Sequence, residues 1–164
     1  MASEEYAHRH REGILSAITV GFFFILVGIF FIVTPNLVDK ITNFFQDIVS
    51  VNHIGALPSS IYLPQPADVS AHIAVYSAVE QFSLIWGVFL AAMLVARFLT
   101  HSSTRRQAQN LGDIVFWLGT GYLIQAWLVD RQEWFEFWAL IVVLLGVSLI
   151  GRAIFLALAY AIKK

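Results

Sequence analysis

The chain of 164 residues is 59% apolar and 13% charged, against roughly 45–50% and about 25% in an average soluble domain. A soluble fold of this size leaves near a third of its unfolded surface in water and cannot hide so much apolar side chain, so the composition points to a membrane protein. Ten basic and eleven acidic residues give a net charge of -1, without a basic face for nucleic acid, and the lack of cysteine excludes disulfides, thiolate metal sites, iron–sulfur clusters and a cysteine nucleophile.

A helix crosses about 30 Å of hydrocarbon with about 20 residues, and every backbone polar group inside must be bonded within the segment. Four windows meet this. The first, 13–34, is uncharged and follows the charged stretch Met1–Glu12, an order that superficially resembles a signal peptide. Its run Ile14–Val33 is too long for one, and Thr34, Pro35 and Asn36 follow where small cleavage-site residues belong; an uncleaved span is expected. Next, 36–51 places Leu37, Ile41, Phe44, Phe45, Ile48 and Val49 at helical spacing opposite Asp39, Lys40, Asn43, Gln46, Asp47 and Ser50. That predicts an outer amphipathic helix, capped by Thr34 or Asn36. Its polar face is not Lys-rich, so it is expected to pack on protein rather than on anionic lipid. From 52 to 70, Gly55, Pro58, Pro64 and Pro66 predict irregular chain.

The second span, 71–99, is interrupted only by His72, Glu80 and Arg97 among ionisable residues. A third, 111–129, carries Asp113 and Gln125; the fourth, 134–162, carries Glu136 near its start and Arg152 well inside. Both termini are assigned to the cytoplasm, because that arrangement puts Arg9, Arg11, Arg97, Arg105, Arg106, Lys163 and Lys164 inside and only Lys40 and Arg131 outside. Trp127, Trp134 and Trp138 then form an interfacial belt at the outer turn. The expected fold is all-α: a four-helix transmembrane bundle forming one integral membrane domain over 1–164, multi-pass in the cell membrane.

The stretches REGILSAITVGFFFILVGIFFIVTPNLVDKITNFF and FSLIWGVFLAAMLVARFLTHSSTRRQAQNLGDIVFWLGTGYLI resemble small uncharacterised multi-span membrane proteins of archaea. The resemblance implies an archaeal cell membrane and carries over no activity. Small multidrug-resistance transporters are a poorer comparison, since they place a carboxylate in the first helix, which here has none. Claudins and tetraspanins need extracellular cysteines that are missing.

Charges inside a bilayer are costly, at least about 2.5–3.5 kcal/mol each on insertion scales, so each invites a functional reading. His72, Tyr76 and Glu80 stand at i, i+4 and i+8, and Ser83, Gly87 and Ala91 continue the face. Small residues there let a neighbouring helix approach. Glu80 reads either as a proton or cation site reached past His72 and Tyr76, or as a hydrogen-bonded packing residue satisfied by Gln81, Gln125, Tyr122 or a partner subunit. Asp113 is expected to pair with Arg152, with Arg97 competing, the alternative being an Arg152 that snorkels alone. Small-residue ridges at Gly13, Ala17 and Gly21 and at Ala153, Ala157 and Ala161 read as packing surfaces within the bundle or between subunits.

No metal or cofactor is expected: His53, Asp68 and His72 fall on one side and His8 and His10 on the other, without zinc-ligand spacing. GxSxG, Walker A, GxGxxG and HExxH motifs are missing. The sequence therefore predicts a non-enzymatic membrane protein, a structural or accessory subunit of a membrane assembly or a homo-oligomer. The alternative is a small oligomeric transporter or channel using Glu80; lipid chemistry at His53, Asp68 and His72 is the remote third.

Overall fold

The computed structural model describes residues 2–51, 63–100 and 102–162, with side chains from 13 to 49 and through the two later stretches. Its elements are helices α1 (Ala2–Val33) and α2 (Leu37–Gln46), strands β1 (Ile48–Val51) and β2 (Leu63–Pro66), a 3-10 turn (Val69–His72), α3 (Ile73–Leu99), α4 (Thr104–Leu123) continued by a π-helical stretch (Ile124–Val129), and α5 (Trp134–Ile162). Among the described residues, three stretches are long and apolar enough to cross a membrane: Gly13–Val33, Val69–Leu99 and Trp134–Ile162. Ile32, Val142 and Ile162 are among many large apolar side chains left uncovered by protein. Soluble monomers rarely expose apolar patches of that extent, and a bilayer removes the penalty.

Helix α1 ends where Pro35 disfavours helical geometry in the residue before it. Asn36 then adopts the left-handed conformation (φ 54°), which asparagine tolerates better than most residues, and the chain turns into α2. The expected side-chain cap is not made: neither Asn36 nor Thr34 caps α2 through its side chain. Helix α2 is also shorter than the expected 36–51. It stops at Gln46, and Ile48 and Val49 enter β1, which pairs antiparallel with β2 in the register Ile48↔Pro66, Val49↔Gln65, Ser50↔Pro64 and Val51↔Leu63. Pro64 and Pro66, expected to be irregular, sit in this two-stranded ribbon, where a missing N–H can face outward. The stop is tertiary in origin. Asp47 accepts from the Ala67 amide at 2.9 Å through its carbonyl and from the Asp68 amide at 3.2 Å through its carboxylate, so the second strand captures the helix end.

The largest interfaces join α3 to α4 and α4 to α5. Glycine makes them close. A Cβ at Gly87 would lie 2.5 Å from Leu118 Cδ2, and one at Gly121 would lie 2.6 Å from Leu84 Cδ2 and 3.3 Å from the Glu80 carbonyl. On the opposite side of α4, a Cβ at Gly119 would meet Leu144 at 2.5 Å and one at Gly112 the Ser148 carbonyl at 3.2 Å. These pairings run in opposite chain directions, so α4 is antiparallel to both neighbours. It also begins seven residues before the expected 111, because hydropathy discounts the polar turn Thr104–Asn110 although Gln107, Ala108 and Asn110 are buried in it.

Among the described residues, helix α1 packs substantially only on α3. The contact is aromatic: Phe22 stacks on Phe89 with centroids 3.9 Å apart, and Phe23 meets Trp86 edge-on at 5.4 Å. A second apolar cluster, at the ribbon end, joins Tyr76, Ile124, Leu128 and Phe137, with Phe44 and Trp134 packed on it.

Candidate functional site

Two groups of polar side chains stand out, one at each end of the long helices. At the ribbon end, Asp47 gathers the start of α3. Its carboxylate lies 2.9 Å from His72 Nε2, and the Phe44 ring meets His72 edge-on at 5.3 Å and Tyr76 at 6.1 Å. His72 is only 8% exposed. The hydrogen bond from His72, then the Asp68 amide, hold the Asp47 carboxyl below the usual carboxylate range. Asp68 caps the 3-10 turn, accepting from the Ser70 hydroxyl at 2.6 Å and its amide at 2.9 Å, contacts that lower its carboxyl as well. Trp134 of α5 joins by donating Nε1–H to the Pro64 carbonyl at 3.0 Å. The assembly ties α2, the ribbon, α3 and α5 together. Sequence reading named His72 and Asp68 and missed Asp47, which there counted only as part of a polar helix face; a carboxylate 25 residues from its histidine leaves no local signal. His53, His8 and His10 lie outside the described side chains. Among the described residues no group of three or more histidines or carboxylates is arranged to hold a metal ion.

The stripe along α3 is partly as the spacing implies. Tyr76, Ser83 and Gly87 are buried and Ala91 is half-buried, and Ser83 bonds the Val79 carbonyl at 2.7 Å. Glu80 is not joined by the groups proposed around it. Gln125 is exposed and donates to Asp130 at 3.0 Å, Gln81 and Tyr122 are exposed, and Glu80 forms no side-chain hydrogen bond or ion pair among the described residues. At the turn between α4 and α5, Trp127 donates to Glu136 at 3.3 Å and Arg131 lies over its ring at 4.7 Å. A hydrogen bond with Glu136 raises the Glu133 carboxyl.

At the opposite end, Asp113, Arg97 and Arg152 share one neighbourhood. Both guanidinium groups act on the Asp113 carboxylate, yet no nitrogen of Arg152 or Arg97 comes within the 4.0 Å of a direct ion pair with it. The expected Asp113–Arg152 salt bridge is not formed as a direct ion pair; the close α4–α5 contact at Gly112 sets the Arg152 Cβ 3.5 Å from where a side chain on Gly112 would begin.

The small-residue ridges divide. Gly87 of α3 and Gly119 and Gly121 of α4 are filled by neighbouring leucines, and Gly112 of α4 by the Ser148 carbonyl. Gly13, Ala17 and Gly21 on α1, like Ala153, Ala157 and Ala161 on α5, are exposed, and a Cβ at Gly13 or Gly21 would meet no atom within 4 Å. No family model, curated protein or solved structure matches the chain.

Proposed function

We propose that the chain is a non-enzymatic, four-span protein of the cell membrane, with both termini cytoplasmic and α2 and the ribbon outside, acting as an accessory subunit of a membrane assembly or as a homo-oligomer. The glycine contacts of α4 support the fourth span. They extend from Gly112 to Gly121 against α3 on one side and α5 on the other, so α4 lies at the depth of two membrane-length helices. Its helical stretches of 20 and 6 residues reach about 39 Å at about 1.5 Å per residue, enough for the hydrocarbon core.

One observation carries the accessory reading: α1 is bound to the rest of the protomer by one face, and its Gly13–Ala17–Gly21 ridge stays empty while the comparable positions of α3 and α4 are filled. Helices in lipid associate through such small-residue surfaces. Glu80 adds to it, since an intramembrane carboxylate without a partner among the described residues of its own protomer is stabilised by a donor from a neighbouring one. The same unpartnered carboxylate favours the second reading, a small oligomeric transporter or channel with Glu80 as its proton or cation site.

Extraction in mild detergent followed by native mass spectrometry separates these. A foreign subunit in fixed ratio, or a homo-oligomer that Gly21→Leu dissociates, supports the packing role. A monomer unchanged by that substitution refutes it. Ion flux in liposomes abolished by Glu80→Gln, with assembly intact, establishes the transport reading instead.

A further inference from the structure

Beneath the end of α2, between α3, α4 and α5, lies a cavity of about 290 Å³. Six of its twelve lining residues are aromatic: Phe44, Tyr76, Phe116, Trp134, Phe137 and Trp138. Among the described residues no charged side chain lines it, and an ion placed there would be unpaired in apolar surroundings. Apolar cavities also stay dry. The occupant that fits is therefore neutral and carbon-rich. Size narrows it further: an apolar cavity of about 150 Å³ takes up one benzene ring, so this one has room for about two fused rings.

The walls favour a flat guest over a flexible chain. Trp138 meets Trp134 at 73° and Phe137 at 71°, and Phe44 meets Tyr76 at 87°, edge-to-face contacts that leave ring faces unstacked for a planar molecule. Phe44 and Trp134, with centroids 6.0 Å apart, close the ribbon end. Trp134 is fastened there by the Pro64 carbonyl, and Phe44 by the bond between Asp47 and His72 three residues further on. Val79 and Trp138 are exposed, so the cavity opens on the flank between α3 and α5, where a compound dissolved in lipid would enter. Ile124 and Leu128 line it from the π-helical stretch, a rare turn that is frequent at functional sites. Two buried hydroxyls add a separate observation. Tyr76 is only 4% exposed, and neither its Oη nor Thr120 Oγ1 has a hydrogen-bond partner among the described residues. Both residues line the cavity, and buried donors without an acceptor are costly. Their hydroxyls lie under the cavity surface, so a carbonyl on the guest would reach them as these side chains turn toward it.

We infer that this cavity binds a neutral, flat compound of about two fused rings, taken up from the membrane and either purely hydrocarbon or carrying ring carbonyls. The site needs only the packing of α2 to α5 within one protomer and does not depend on the accessory reading. Uptake from lipid rests on the membrane reading above; recognition of the ring does not.

The test dialyses the full chain in detergent against methylnaphthalene or menadione, which share two fused rings and differ by two carbonyls, and measures uptake beyond that of protein-free micelles by ultraviolet absorbance. Saturation at one compound per chain is expected, and decanol, a flexible chain of similar carbon count, should compete poorly. Val75→Phe combined with Ile141→Trp places bulk in the cavity from α3 and α5 and should abolish the uptake. Tyr76→Phe and Thr120→Val each keep the shape and remove one hydroxyl. Menadione weakened about fivefold by either, as expected for a hydrogen bond of about 1 kcal/mol, with methylnaphthalene unchanged, assigns a carbonyl-bearing ring; no effect on either compound assigns a hydrocarbon ring. Uptake no greater than that of protein-free micelles overturns the site. Competition by decanol as strong as by the ring compounds overturns it too, since that would make it a groove for lipid chains. So does a filled variant that keeps its native melting temperature and takes up both compounds like wild type; if that variant unfolds, wild-type saturation and the decanol competition decide.

Discussion

Adding one methyl group at Gly87 tests the central contact of the bundle. The new Cβ would stand 2.5 Å from Leu118 Cδ2, 2.7 Å from its Cγ and 3.2 Å from its backbone nitrogen. The Leu118 side chain can rotate away only at the expense of its own packing, and its backbone cannot move without shifting α4. Overpacking of this kind costs about 1–3 kcal/mol. Alanine also favours a helix over glycine by up to about 1 kcal/mol, which would mask part of the cost if Gly87→Ala were read alone. Gly21→Ala is the matched control, since it brings the same backbone gain and its Cβ meets nothing within 4 Å. The difference between the two variants therefore isolates the steric cost, and Gly87→Ala is expected to be less stable than Gly21→Ala by about 1–3 kcal/mol. Reversible unfolding of the detergent-solubilised protein in mixed micelles, followed by circular dichroism, measures it. A difference below about 0.5 kcal/mol, within the scatter of ordinary surface substitutions, would refute the close α3–α4 approach and with it the depth assigned to α4.

Three further outcomes are expected. Because the Asp47 carboxyl is held below its ordinary value of 3.8, its contribution to the ribbon-end tether is complete above that value and is lost as pH falls through the lower folded value. Tryptophan fluorescence, taken as wild type minus Trp134→Phe, should show a transition in that acid range that is missing from Asp47→Asn; a transition unchanged in Asp47→Asn would assign it elsewhere. If α4 spans the membrane, single cysteines placed in this cysteine-free chain at Arg105 and Glu133 should react with impermeant maleimide from opposite sides, the Arg105→Cys site from the cytoplasm. Labelling of both from one side would reduce the spans to three. Asn110→Ala removes the hydrogen bond to the Leu90 carbonyl and should destabilise the bundle by about 0.6 kcal/mol and at most about 1.7, as polar contacts between membrane helices do, measured by the same micelle unfolding; no loss would show that the contact does not persist in the bilayer.

The amino-acid sequence by itself determined the long apolar helices. Trp134–Ile162 was legible to the residue, and the second span within a few, because the demand of a bilayer for about 20 apolar residues with internal hydrogen bonds is a property of composition along one segment. It also indicated which face of α3 is inward, through the spacing of His72, Tyr76, Ser83 and Gly87. Tertiary structure decided where α2 stops, since that depends on the Ala67 and Asp68 amides some twenty residues later, and where α4 starts, since its polar first turns are buried by α3 and not by lipid. It also chose the partners of the few polar groups: Asp47 for His72, no direct ion pair between Asp113 and Arg152, and, among the described residues, no side-chain hydrogen bond or ion pair for Glu80. Hydropathy adds up residue by residue, whereas a salt bridge or a glycine contact exists only when two distant segments are brought to within a few ångströms. For that reason the sequence could locate the small-residue ridges but not divide them into those filled by a neighbouring leucine and those left open to a partner.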